Sequence, residues 1–97
     1  MLHTDVGGDG PDLVLLHGWG MHSGVWGEWL VHLQRCFRVT AVDLPGHGNS
    51  RFQGQSKIAE WAAAVLEAAP PRAWWVGWSL GGLVALAAAD QARNRLS

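Results

Sequence analysis

The chain has 97 residues, 48% of them apolar and 15% charged, with a formal net charge of −1. That balance excludes a disordered polar tail, and the scattered charges leave no electrostatic footprint for nucleic acid or an anionic membrane surface. The length fits one modest domain or part of a larger one. The longest apolar runs, Leu83–Ala89 and Trp61–Leu66, fall far short of the ~20 residues a membrane-spanning helix needs. No basic-then-apolar leader opens the chain. The lone cysteine, Cys36, excludes an internal disulfide and fits a reducing compartment. A soluble cytoplasmic chain is therefore expected. Seven tryptophans stand without one tyrosine, and core and pocket packing is the expected use of most of them.

In chain order, Leu2–Val6 reads as a short strand. The turn Gly7-Gly8-Asp9-Gly10-Pro11 joins it, hairpin-like, to Asp12–Leu16. Leu13–Leu16 is continuously apolar, as in a strand covered on both faces of a parallel sheet. A Gly-rich loop follows, His17-Gly18-Trp19-Gly20. From Ser23, a plausible N-cap, Trp26, Leu30 and Leu33 recur at helical spacing with Trp29 beside them. Val39–Val42 is the next strand, closed by Asp43 and the loop Leu44–Gly48. Ser56 can cap a second helix whose face carries Ile58, Trp61, Ala62, Val65 and Leu66, and Pro70-Pro71 stops it. Ala73–Val76 reads as a buried strand, and an Ala/Leu helix runs from about Leu80 to Gln91. Alternating strands and helices predict an α/β fold with a mostly parallel sheet.

Gly77-Trp78-Ser79-Leu80-Gly81 fits the G-x-S-x-G nucleophile elbow, and a strand before it with a helix after it supplies the required context. Such a turn lifts Ser79 into a strained, exposed position. The glycines leave room for backbone that a Cβ would strike, and the helix N-terminus points its free N–H groups at the serine. The Leu80 N–H is one candidate donor to an oxyanion. A second is expected from the loop after an earlier strand, where Trp19 offers its N–H and an indole to wall a pocket. His17, at a strand end, reads as a brace for that loop rather than a base.

These residues resemble the α/β-hydrolases. Within that superfamily, the segments 13–20, 42–50 and 77–84 are similar to the pimeloyl-[acyl-carrier protein] methyl ester esterases of biotin synthesis. The His-Gly loop and Asp43-Leu44-Pro45-Gly46-His47-Gly48 specify only the superfamily. Trp19 together with Trp78-Ser79-Leu80-Gly81-Gly82 is narrower. The resemblance implies Ser79 as nucleophile, Trp19 and Leu80 as oxyanion donors in contact with substrate, and no catalytic role for Asp43 or His47. It implies an ester substrate borne on acyl carrier protein, no cofactor, and a monomer. Residues 1–97 would be the N-terminal part of the domain, since the family order is nucleophile, acid, histidine. All five histidines precede Ser79, and Asp90 is the only acidic residue after it. The later strands, the cap, the triad acid and the triad histidine are then absent, and this stretch alone is expected to be inactive.

Competing readings are weaker. The histidines lack metal-site spacing and no Cys-x-x-Cys accompanies them, so no metal is expected. Cys36 has no elbow and reads as a small core thiol. No G-x-G-x-x-G passes from a strand into a helix, so a dinucleotide is not indicated. Two functional classes stand: a serine hydrolase acting on a carboxylic ester, or a non-catalytic binding module of the same fold. General esterases, perhydrolases and C–C hydrolases share this N-terminal half.

Overall fold

The computed structural model describes residues 1–52, 54 and 57–97. Four strands, β1 (Thr4–Gly7), β2 (Asp12–Leu16), β3 (Arg38–Val42) and β4 (Trp74–Gly77), form one sheet in the order β1-β3-β2-β4. Three helices, α1 (Gly27–Gln34), α2 (Ile58–Ala68) and α3 (Leu80–Gln91), flank it. β2 is central and runs parallel to β3 and to β4, with Leu16 opposite Val42 on one side and Gly77 on the other. The C-terminal ends of three parallel strands therefore lie side by side, and the loops that leave them meet there.

The expected hairpin at the start does not form. β1 pairs antiparallel with β3, Thr4 opposite Val42, so β3 lies between β1 and β2. The Gly7–Pro11 turn instead carries the chain across the α1–β3 connection, with Arg38 N–H donating to the Pro11 carbonyl at 3.0 Å. The crossing is tight: a Cβ on Gly8 would lie 2.3 Å from the Phe37 carbonyl oxygen, and one on Gly10 2.2 Å from that of Cys36. The glycines serve close passage, not a two-strand turn.

Strand alternation splits the core in two. Val14, Leu16 and Val42 pack with Trp61, Ala62 and Val65 of α2 and with Val84 and Ala88 of α3. Leu13, Leu15, Val39 and Ala41 face the other way, against Trp26, Leu30, Leu33 and Phe37. β2 is thus covered on both faces, which its unbroken apolar run requires. Ile58, expected on the buried face of α2, is exposed. The α2 start is held by the Glu60 carboxylate, which accepts the Lys57 N–H at 3.1 Å; the expected Ser56 cap lies outside the described residues. At the α2 C-terminus the Arg95 guanidinium donates to the carbonyls of Leu66, Ala69 and Pro70, satisfying acceptors the helix leaves open. No described helix is long and apolar enough to cross a membrane.

Two further expectations fail. The cap of the turn that leads into α1 is His22, whose Nδ1 accepts the Gly24 N–H at 3.0 Å; Ser23 is buried and its N–H goes elsewhere. Cys36 is exposed, in the turn that crosses the Gly10 loop, where no helix covers it. Core and pocket packing accounts for four of the seven tryptophans, Trp61 and Trp75 in one core, Trp26 against the other and Trp29 beside it in a groove, whereas Trp19, Trp74 and Trp78 are exposed. The β4 strand is half-covered, with Trp74 53% and Val76 47% exposed, and the core on the α1 side is built from β2 and β3 residues. Beside α1 the sheet face opens into an apolar groove of about 300 Å³ lined by Leu13, Leu15, Trp26, Trp29, Leu33 and Val76. Leu96 bridges Ala73; beyond that point β4 pairs among the described strands with β2 alone.

An apolar edge with unpaired backbone groups drives self-association. The double substitution Trp74→Lys, Val76→Lys is expected to lower concentration-dependent light scattering of the 97-residue chain while leaving its circular dichroism unchanged. Equal scattering by both forms would contradict this.

Candidate active site at the turn from β4 into α3

Ser79 is the only non-glycine among the described residues with positive φ, at φ 55° and ψ −112°. Such a backbone costs on the order of 1–3 kcal/mol unless its surroundings impose it, and here they do. The Trp78 N–H extends the ladder to the Leu16 carbonyl at 3.0 Å, and one residue later the chain turns into helix: Gly82 and Leu83 N–H both donate to the Ser79 carbonyl, at 2.9 and 3.2 Å. A Cβ on Gly77 would sit 2.3 Å from the Gly81 carbonyl and 2.5 Å from the Gly82 nitrogen. A Cβ on Gly81 would sit 2.2 Å from the Leu16 carbonyl oxygen. In both cases the obstacle is backbone, which cannot step aside. Ser79 itself is exposed.

The loop leaving β2 passes directly over this turn. Gly18 is buried, and a Cβ there would come within 3.4 Å of the Trp78 carbonyl oxygen and 3.6 Å of the Ser79 Cβ. Trp19 follows, 70% exposed. The structure thus brings the Trp19 loop, Ser79 and the first residue of α3, Leu80, to one end of the sheet. Neither the Trp19 nor the Leu80 N–H donates to another described residue.

The loops are knitted by polar groups that are buried and paired. His17 is fully buried. Its Nε2 accepts the Leu44 N–H at 2.9 Å, so the proton sits on Nδ1, which donates to the Gly18 carbonyl at 2.7 Å. Burial pushes the His17 pKa below its ordinary value, outweighing the Gly18 hydrogen bond and the nearby Asp43 charge that favour the cation. His17 is therefore a neutral strut between the loops after β2 and β3, as its place at the strand end suggested. Asp43 is also buried, and burial alone would raise its pKa. The N–H groups of Ser23, at 2.7 Å, and Asn49, at 3.1 Å, outweigh that and hold the carboxyl below its usual range. Gly48 lies against this carboxylate, where a Cβ would meet it at 2.6 Å. Asp43 is committed to loop structure.

His47 was not singled out by sequence spacing, yet it touches the Trp19 loop: its Nε2 accepts the Gly20 N–H at 2.9 Å. Its ring packs against Trp19, with centroids 5.1 Å apart, and against Trp61 at 6.0 Å. No local signal could have shown a contact between residues 27 apart. Among the described residues no histidine is hydrogen-bonded to Ser79, and no three His, Cys, Asp or Glu side chains gather to hold a metal ion.

The family model described as alpha/beta hydrolase fold matches residues 11–97. The chain is 52% identical over 91 residues to a pimeloyl-[acyl-carrier protein] methyl ester esterase of Methylococcus capsulatus, covering 94% of this chain and 36% of that protein. It is 52% identical over 96 residues to one so named from Vibrio campbellii, covering 99% and 38%. Among solved structures, a hydrolase from Pseudomonas aeruginosa superposes with a TM-score of 0.93 at 33% identity, over 99% of this chain and 39% of that one. A marine microorganism esterase superposes equally well, at 0.93, with 22% identity, a likeness of fold. The chain spans little more than a third of the length of these relatives.

Two measurements test this construction. Gly81→Ala is expected to cost upwards of ~4 kcal/mol, among the largest single-residue effects. Gly82→Ala, whose Cβ would meet nothing closer than 3.4 Å, is expected within about 1 kcal/mol of wild type, helped by helix propensity; similar melting temperatures for the two variants would refute the packing argument. The second concerns pH. The unfolded chain, with His17 near its ordinary 6.5, binds a proton more readily than the fold, so the neutral His17 strut stabilises fully above that pH and is lost as pH falls toward the lower folded value. Melting temperature is expected to drop as pH falls below the ordinary 6.5, and His17→Gln to flatten that part of the profile. An unchanged slope in the variant would exclude His17 as its source.

Proposed function

The chain belongs to the α/β-hydrolase family, and on that premise we propose that Ser79 is the nucleophile of a carboxylic ester hydrolase, with the Trp19 and Leu80 amides as its oxyanion hole. The observation that carries this reading is the left-handed backbone at Ser79, placed at a helix N-terminus between glycines that cannot be anything larger. Strain of this kind persists where surrounding structure demands it, and it concentrates at sites of chemistry. The Ser79 hydroxyl attacks the ester carbonyl, and the tetrahedral oxyanion takes hydrogen bonds from the two amides. The alcohol leaves and water cleaves the acyl-enzyme.

A serine hydroxyl at neutral pH needs a base to accept its proton. Among the described residues no histidine is hydrogen-bonded to Ser79, and the two nearest the loops of this site, His17 and His47, have both ring nitrogens held by backbone groups. The base and its orienting acid therefore belong to sequence outside these 97 residues, and the stretch alone has no enzyme-level turnover. The relatives' name points to the substrate, the methyl ester of a pimeloyl chain on acyl carrier protein, with methanol as leaving group. The lone cysteine fits a cytoplasmic setting.

In a protein carrying the whole catalytic set, a fluorophosphonate probe is expected to label Ser79 and to fail with Ser79→Ala. Labelling that persists in the alanine variant removes Ser79 from the mechanism. The substrate is tested separately: the whole gene is expected to restore biotin-independent growth to a host lacking the esterase, and failure despite expression would point to another ester.

A further inference from the structure

We propose that His47 is a positioning residue for the reaction at Ser79: its neutral ring tethers the loop that carries Trp19. The inference deepens the esterase reading and rests on it. The anchor is rigid. His47 stands in the turn Pro45-Gly46-His47-Gly48, where Gly46 and Gly48 have φ of 75° and 50°, and the residues just before it, Asp43, Leu44 and Pro45, are buried. The Leu44 N–H is bound by His17, and the Leu44 carbonyl accepts the His47 N–H at 2.9 Å. His47 Nδ1 lies 3.0 Å from the Pro45 carbonyl, which can only accept, and Nε2 lies 2.9 Å from the Gly20 N–H, which can only donate. One protonation state satisfies both: a neutral ring with its proton on Nδ1.

The tethered partner, by contrast, has little else. Across residues 19–21 the other backbone hydrogen bond among the described residues is local, from Met21 N–H to the Gly18 carbonyl at 3.2 Å. Trp19 is mostly exposed, and the face it does cover lies edge-on to His47, with interplanar angle 76°, and beside Trp61 at 6.3 Å. His47 thus grips the segment twice, at the amide following Trp19 and at the Trp19 indole. An oxyanion donor is effective only if its direction is set before charge develops. The Gly20–His47 bond orients the peptide plane between Trp19 and Gly20; through the shared Trp19 Cα, and with the indole held against the His47 ring, it restrains the adjoining Gly18–Trp19 plane, which carries the donor N–H.

The test separates ring from acceptor. His47→Phe keeps an aromatic ring and loses the Nε2 acceptor; His47→Gln loses the ring and restores an acceptor oxygen at similar reach. In the protein with its whole catalytic set, His47→Phe is expected to lower kcat for a p-nitrophenyl ester about tenfold, equivalent to about 1.4 kcal/mol, with KM little changed, as for an interaction made in the transition state. Gly20 amide exchange should accelerate in the same variant, and His47→Gln should recover most of both losses. Nitrogen-15 spectra of wild type should show a protonated Nδ1 and a bare Nε2 at His47. Wild-type kcat and Gly20 protection in His47→Phe would overturn the proposal, as would a kcat loss that His47→Gln leaves uncorrected. Circular dichroism identifies a variant that fails to fold, and the wild-type tautomer then decides: a proton on Nε2 overturns the tether. Should wild type show no Ser79-dependent turnover, the esterase reading fails, while exchange and tautomer still decide the tether on their own.

Discussion

A serine can hold φ of 55° here because three backbone segments close around it with no room for side chains. Gly77 lies against the Gly81 and Gly82 backbone, and Gly81 lies against the Leu16 carbonyl. The second contact joins the first turn of α3 to the end of β2, and so fixes where the helix starts relative to the central strand. Ser79 and the Leu80 N–H inherit that position. The same end of β2 releases the loop whose Gly18 passes over the Ser79 Cβ, so one close approach of backbone determines both walls of the site.

Polar residues around this point are used for rigidity. Five histidines in 97 residues suggest proton chemistry or metal binding, but His17 and His47 spend both ring nitrogens on backbone groups of the loops after β2 and β3. Asp43, which a carboxylate-and-histidine count would enlist as a catalytic partner, spends its oxygens on Ser23 and Asn49. Buried polar groups satisfied in this way specify a single arrangement of loops that carry little apolar packing of their own. Among the described residues, none of these side chains is hydrogen-bonded to Ser79.

What could be read from the sequence was local. The bounds of β2 and of α3 follow from an unbroken apolar run and from glycine placement, and the turn at Ser79 is a strand, a corner and a helix in direct succession. The pairing of β1 was illegible because a Gly-rich turn permits a hairpin and a crossover equally, and only the packing of Gly8 and Gly10 against residues 36 and 37 distinguishes them. Ser23 resembles a cap in composition, yet the neighbouring imidazole reaches the Gly24 N–H while Asp43, 20 residues away, claims the serine amide. The half-exposed face of β4 was hidden for a related reason: an apolar strand does not reveal which of its faces a helix will cover.

The proposed function requires the turn at Ser79 and the Trp19 loop to form one preorganised acyl-transfer site. The most direct measurement is a crystal structure of the protein with its whole catalytic set, bearing a phosphonate adduct as a mimic of the tetrahedral intermediate. Phosphorus is expected on Ser79 Oγ, with one phosphoryl oxygen within about 3 Å of both the Trp19 and Leu80 nitrogens and the Gly20–His47 hydrogen bond intact. An adduct on another residue, or a phosphoryl oxygen turned away from both amides, would contradict it.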